Sequence, residues 1–364
     1  MVFTYSNKYI SKPICIGEFS LDRNGNVLQN KIENKCYLYE KFINQDTFFI
    51  NLKSHKILFE DKTIDMELNL RRNILNNLKI STSTLDKSLC NAEFYCSSGI
   101  LTKFATSHLH HSLINVWCIK IDNVIVMVDS NTLEKKRSFA NDNITLSTTD
   151  SEIASEQNKS FISKLRYDRI LKYAAFLKRN CIDNKKVFID GIHVWKQYRR
   201  VYVSELQCPS GSGEDKSIKI AYNSIIHCVD KKTDNPVIIK IRPSHINEED
   251  FIWKLNQLSK MYMQTILLNS NKIVIGECDK DSVIHQTKIK TPKEIFDKYS
   301  LNERNLYFHL WFVLDRIKKA FENESNVPIK CVNIVKWNMN DRYNVNCYAD
   351  IPASEACLKV FDNF

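Results

Sequence analysis

Glycine and proline are scarce in this chain of 364 residues, with seven of each, which excludes collagen-like, Gly/Ser-linker and Pro-rich classes. So little glycine leaves no loop of the kind that cradles a nucleotide phosphate, and neither a Walker nor a dinucleotide-binding fingerprint occurs. Long apolar runs are missing too. No stretch of about 18 apolar residues is available to cross a bilayer, so no membrane partner is implied. The opening MVFTYSNKYISKPICIGEFSLD is broken by polar residues and Pro13, unlike the apolar core of a signal peptide. Cysteine pairs are absent: the twelve cysteines lie singly from Cys15 to Cys357, with no C-x-x-C and no zinc-finger spacing. A thiol-reduced compartment is the simpler reading, and the sequons at Asn143, Asn158 and Asn323 then mean nothing by themselves.

What is present describes a folded protein. Apolar residues make up 43% of the chain, aromatics 11% and charged residues 26%, enough for a sizeable core under an ordinary surface. The net charge is +10, and the excess is local. Between Lys159 and Glu205 twelve Lys and Arg stand against Asp168, Asp183, Asp190 and Glu205. A stripe facing phosphates and a solvated helix face both account for such a run.

The residue pattern gives an outline of the fold. The run from Val116 to Asp129 is β-branched with a turn at Asp122-Asn123, and Ser217 to Ile241 reads as a hairpin, IKIAYNSIIHCVD and PVIIKI around the turn KKTDN. Helical periodicity appears in Phe161 to Cys181, Glu249 to Leu268 and Asn302 to Phe321. Residues 129–160 and 207–217 are polar and read as a flexible insertion and a loop. No internal repeat is visible. The order predicts an α+β fold, a mixed sheet with helices against it, as one large domain over residues 1–364.

Catalytic motifs are wanting. No serine or cysteine sits in a nucleophile elbow. His108, His110 and His111 form one imidazole cluster but lack a carboxylate or cysteine partner, which favours a polar loop over a metal site. Glu248, Glu249 and Asp250 open a helix, where acidic residues complement the dipole.

Several strings together resemble the DXO/Rai decapping-exonuclease family. SGILTKFAT (Ser98 to Thr106) followed by NVWCIKI resembles the segment RG-[LH]-LTK-L-x-T and its following strand. RILKYAAFLKRNC (Arg169 to Cys181) is similar to the helix carrying G-[YF]-K-F-E, with Phe176 in register. YNSIIHCVD stands where the family has G-E-x-D-C, and VIIKIRPSHI where it has E-[LI]-K-T. KMYMQTILLNSNKIVIGECDKDSVI resembles K-W-W-x-Q-S-[FY]-L and the strand after it, and FHLWFVLDRIKKAF leads to VNIVKW as the family's last helix leads to its last strand. The resemblance is strongest over residues 94–345.

That resemblance implies mixed β-sheets flanked by helices around a central cleft. In the family the cleft holds divalent cations on clustered carboxylates and acts on RNA 5′ ends. Here those positions carry other residues: Ser98 replaces the arginine, Ala175 and Leu177 the lysine and glutamate of the helix, Ile225 and His227 the E-x-D pair, and Lys240 and Arg242 the glutamate and lysine of the next strand. Aliphatic and ammonium groups do not ligate a hard cation, so no metal, no other cofactor and no catalysis are expected. His227 and Cys228 alone are too few for a soft-metal site. Lys103, Lys240, Arg242, Lys260 and Gln264 remain, by analogy, where the family holds RNA backbone. The expected protein is a pseudoenzyme that binds uncapped RNA 5′ ends. Among members without catalytic residues it most resembles an insect germline nuclear protein, which implies a heterochromatin-bound complex that supports transcription of piRNA source loci by suppressing termination and decay. A scaffold that docks a nuclear 5′→3′ exonuclease without touching RNA, and an active cap or NAD-cap hydrolase with an altered metal site, are the alternatives.

Overall fold

The hairpin at Asp122-Asn123 illustrates how local sequence builds the sheet. Both residues take left-handed backbone angles, φ 45° and 68°, the geometry of a two-residue turn whose twist matches the strands it joins. The Asp122 carboxylate also accepts a hydrogen bond from the Leu85 N–H at 3.0 Å, fixing the start of a short helix against the turn. In this computed structural model the described residues are 8–22, 24–43, 50–51, 72–78, 84–109, 113–130, 197–209, 216–243, 251–279, 283–297, 301–322, 329–337 and 342–350.

The strands are β1 (Ile14–Leu21), β2 (Ile50–Asn51), β3 (Phe94–Ser97), β4 (Ile114–Ile121), β5 (Val124–Asp129), β6 (Gln197–Gln207), β7 (Ser217–Ile226), β8 (Cys228–Val229), β9 (Pro236–Pro243), β10 (Lys272–Cys278), β11 (Val283–Lys290), β12 (Cys331–Lys336) and β13 (Asn344–Tyr348). The helices are α1 (Glu40–Ile43), α2 (72–78), α3 (Leu85–Ser88), α4 (Ser98–Ala105), α5 (Phe251–Leu268), α6 (Pro292–Phe296) and α7 (Glu303–Glu322). They form two mixed sheets, ordered β1-β6-β7-β3-β5-β4-β12-β13 and β2-β11-β10-β9-β8. The architecture is α+β, as the element order predicts.

Both faces of the larger sheet are buried. Ile114, Val116 and Cys118 of β4 join the main core with Leu101 and Phe104 of α4 and Leu310 and Leu314 of α7, while Trp117, Ile119 and Ile121 pack with Phe19, Leu85 and Leu89 on the other side. Two-sided burial is why β4 and β5 read as nearly continuous apolar runs. The smaller sheet gives Ile238, Ile273 and Ile275 to the same main core and keeps a core of its own around Val237, Ile239 and Val274. Helix α7 earns its place by spacing: Leu306, Tyr307, Leu310, Val313, Leu314 and Ile317 are buried along one stripe.

The hairpin expected over Ser217 to Ile241 is corrected. β7 ends at Ile226 in the larger sheet, and β8 begins at Cys228 in the smaller one. One residue, His227, passes the chain between sheets. The hairpin proper is therefore β8 with β9, paired at Cys228↔Val237 and Val229↔Pro236. A run of alternating apolar residues does not record which sheet each half joins. The loop read over 207–217 joins β6 to β7, with 210–215 outside the described residues. The insertion beyond Ser130, the helix Phe161 to Cys181, and Glu248 to Asp250 also lie outside them.

Candidate functional site

Three parallel strands set the position of the site. β3 runs parallel to β5 and to β7, so their carboxyl ends open on the same side, the usual place for a ligand in such sheets. β3 passes directly into α4 through Ser97, which leaves the first turn of α4 at that opening. On the far side, β8 releases β9 after Val237. The edge of β9 from Ile238 onward then faces the gap between the sheets.

The gap is a cavity of about 470 Å³. Ser98, Ile225, His227, Lys240 and Gln264, five positions singled out from sequence on separate segments, all line it. Lys260 stands one turn before Gln264 on the same face of α5, and Lys103 lies on α4. Their charges reach one another: burial and then the Lys260 ammonium hold Lys240 down to about 8, and burial and then Lys103 lower Lys260. Ile225 is 36% exposed on the wall. Arg242 belongs to β9, with its side chain outside the described set. Ala175 and Leu177, and likewise His110 and His111, fall outside it altogether. His108 lies in a short 3-10 turn and stacks on His309 with centroids 4.2 Å apart.

Several lining residues had no signal in the sequence. Arg199 donates through Nε to Gln197 Oε1 at 2.9 Å and through Nη1 to Asn223 Oδ1. Asn223 Nδ2 donates in turn to the Tyr95 hydroxyl at 2.7 Å. Lys103 pairs with Asp129. The Ser224 hydroxyl is buried at the wall with no hydrogen-bond partner among the described residues. These groups come together only through sheet register, Arg199 lying opposite Ile225.

Part of the basic run takes a different role from either reading of it. Arg199 and Arg200 belong to β6 and are 8% and 6% exposed. Arg200 donates to the Asp234 carbonyl at 2.8 Å, pairs with its carboxylate, and donates to the Tyr198 hydroxyl at 2.9 Å. It ties the larger sheet to the turn between β8 and β9. Neither arginine is on a solvated helix face or an open phosphate stripe.

A divalent cation of the kind the resemblance implies needs several oxygen ligands with little opposing charge. Of the described lining residues Asp129 alone is a carboxylate, and Lys103 engages it. Among the described residues no three His, Cys, Asp or Glu side chains gather as a metal cluster. Lys240 adds an ammonium on the same wall. These residues do not fit such an ion.

Comparison with known proteins gives the fold. No family model and no curated protein sequence matches the chain. Solved structures of Rai1 and Dxo1 do. Candida albicans Rai1 in complex with pU5 and Mn²⁺ aligns with TM-score 0.66 at 13% identity, over 98% of this chain and 93% of that one. S. pombe Rai1 aligns with TM-score 0.62 at 15% identity, over 93% and 94%. K. lactis Dxo1 in complex with manganese gives TM-score 0.60 at 13% identity, over 96% and 95%. The chain shares the DXO/Rai fold over nearly its whole length.

Proposed function

We propose that the protein is a catalytically inactive member of the DXO/Rai fold that binds or shields uncapped RNA 5′ ends. One observation carries this reading: Ser98, Ile225, His227 and Lys240, the residues that stand where the family places polar and acidic groups, line a single cavity, and the charge acting on Lys240 there is that of another cation, Lys260. The pU5 complex of Candida albicans Rai1 supports RNA as the class of partner. The finer part of the reading is a likeness to Cutoff, the insect germline protein, and so a nuclear, chromatin-associated protein complex that supports transcription of piRNA source loci by suppressing termination and decay. Residues 1–364 then act as one domain.

The test is a pair of assays on the purified protein. A 5′-triphosphate RNA and an NAD-capped RNA incubated with Mg²⁺ or Mn²⁺ are expected to remain intact. Single-stranded RNA is expected to bind with an affinity that falls as salt rises, because the binding displaces counterions. Lys240→Glu and Arg242→Glu should weaken it. Cap removal, or salt-insensitive binding, overturns the reading.

A second reading, a scaffold that docks a protein partner such as a nuclear exonuclease without RNA, is favoured by α7. There Phe308 is 41% exposed and stacked on Phe312, and Arg316 lies over the Phe312 ring. Exposed aromatics of this kind are frequent anchors in protein interfaces. Phe308→Ala separates the two readings, since it leaves RNA binding unchanged in the first and abolishes partner capture in the second.

A further inference from the structure

Lys240 interrupts an apolar strand. β9 reads PVIIKIRP, and Lys240 lies opposite Ile275 of β10. Along β9 it alternates with Ile238, which shares the main core with Met261, Tyr262 and Leu267 of α5. Its side chain therefore leaves the strand on the face that α5 covers. There it is half-buried at the cavity wall and makes no ion pair or hydrogen bond among the described residues. An ammonium short of water and of a counter-charge is costly to keep.

The charge acting on it is of its own sign. It comes from Lys260 of α5, whose own ammonium is disfavoured by burial and then by Lys103. Lys103 is answered by Asp129. Lys240 and Lys260 thus form a pair of cations with no carboxylate to share among the described residues. Two hydrogen-bond donors line the same cavity as Lys240. The Ser224 hydroxyl is 3% exposed and has no partner among the described residues, and the Gln264 amide follows Lys260 by one turn of α5. Ser224 alternates along β7 with Tyr222 and Ile226 of the main core, which turns it toward the helices as well.

A modification that reverses the charge of one lysine removes the conflict, turning two like charges into an ion pair. We infer that Lys240 is a carbamylation site, at which carbon dioxide adds to Nζ and the resulting anion is balanced by Lys260. The lone pair of the neutral amine attacks the carbon, an N–C bond forms, one C=O pair moves onto oxygen, and one N–H proton passes to solvent. Nothing is oxidised or reduced. The Ser224 hydroxyl and the Gln264 amide are the donors available to the new oxygens, and the apolar wall keeps away the acid that would reverse the step.

The environment also selects this lysine from the rest. Burial and then Lys260 hold Lys240 down to about 8, so near pH 8 about half of its amines are neutral, against about one in 250 for a lysine at 10.4. The other charged or titratable groups on this wall are Asp129 paired with Lys103, Arg199 bonded to Gln197 and Asn223, His227, and Tyr95 and Cys96, which burial pushes up. The inference stands apart from the RNA reading, since it needs only the protein and carbon dioxide.

The test is carbon NMR of the purified protein in ¹³C-labelled bicarbonate at pH 8. Two carbamate resonances are expected, one from the α-amino group of the chain, which ionises near the same pH, and one from Lys240. Lys240→Arg keeps the charge but has no reactive amine, and should lose the second resonance alone. Lys260→Met should weaken it about threefold, because the amine regains its proton and the anion loses its counter-charge. A single resonance in the native protein, a second one that survives Lys240→Arg, or one indifferent to Lys260→Met overturns the inference. Should a variant fail to fold, triethyloxonium trapping of the native protein decides, since it converts a carbamate to a stable ethyl ester that peptide mass spectrometry can place. The ester on Lys240 upholds the site, and its absence there overturns it.

Discussion

Two groups of cations flank the point where the chain crosses between sheets, and the protein treats them in opposite ways. On one side, Arg200 is met by Asp234 and Glu18, Lys35 by Asp234 at 2.8 Å, and Lys272 by Glu40 and Asp230. On the other, Lys240 lines a cavity whose one carboxylate among the described residues is paired with Lys103, and the charge that acts on Lys240 is the ammonium of Lys260. Compensated charge holds the sheets together. Among the described residues the charge of Lys240 is left uncompensated.

The comparison breaks most visibly in stability. Arg200→Met removes hydrogen bonds from a buried guanidinium to three acceptors and should lower unfolding free energy by about 2–3 kcal/mol, read as an earlier urea midpoint. Lys240→Met removes a half-buried charge with no counter-charge among the described residues, so it should leave the midpoint unchanged or raise it. A loss of similar size from both substitutions would erase the distinction.

A smaller effect appears in alkali. Lys240 in the fold titrates near 8 against about 10.4 when unfolded. Between those values the unfolded chain holds the extra proton, so stability rises with pH across the window. Below the folded value both states carry the charge, and the cost of burying it is fully present. Urea titrations from pH 7.5 to 10.5 should show the rise in the native protein and a flatter profile in Lys240→Met.

The paired side has the reverse signature in acid. Burial pushes the Asp230 carboxyl up, but the hydrogen bonds from Lys272 and from the Thr233 and Lys232 N–H groups outweigh it and hold the group at about 2. Its stabilisation is present above the unfolded value near 3.9 and is lost as pH falls toward 2. Asp230→Asn should remove that part of the acid dependence. The smallest change belongs to Ser224→Ala, which should leave the midpoint unshifted, since it deletes a neutral donor that has no partner among the described residues to strand.

Much of this arrangement was legible before any coordinates. The β4–β5 turn and the helices read as ending at Leu268 and Phe321 follow from residue patterns, the second one residue short of its end at Glu322, and Ser98, Ile225, His227, Lys240 and Gln264, picked out by the order of family-like strings, line one cavity. What escaped depends on register. Arg199 and Arg200 looked like members of an exposed basic run because a count of charges does not know that β6 is an inner strand, paired with β1 on one side and β7 on the other. Ser224 gave no sign either: a lone serine in an apolar strand becomes informative only when its hydroxyl is found buried and unanswered.

The crossing at His227 has a mechanical consequence. A single residue links a strand of one sheet to a strand of the other, and an extended residue spans only about 3.3 Å. Along that wall the sheets cannot swing apart as hinged plates; widening the gap must first unzip Ile226 from Tyr198 or Cys228 from Val237. The cavity therefore keeps a fixed gauge at that end, like a caliper locked on its screw. Any breathing of the cleft should be readable as hydrogen exchange confined to those two rungs, not as a rigid-body motion of half the molecule.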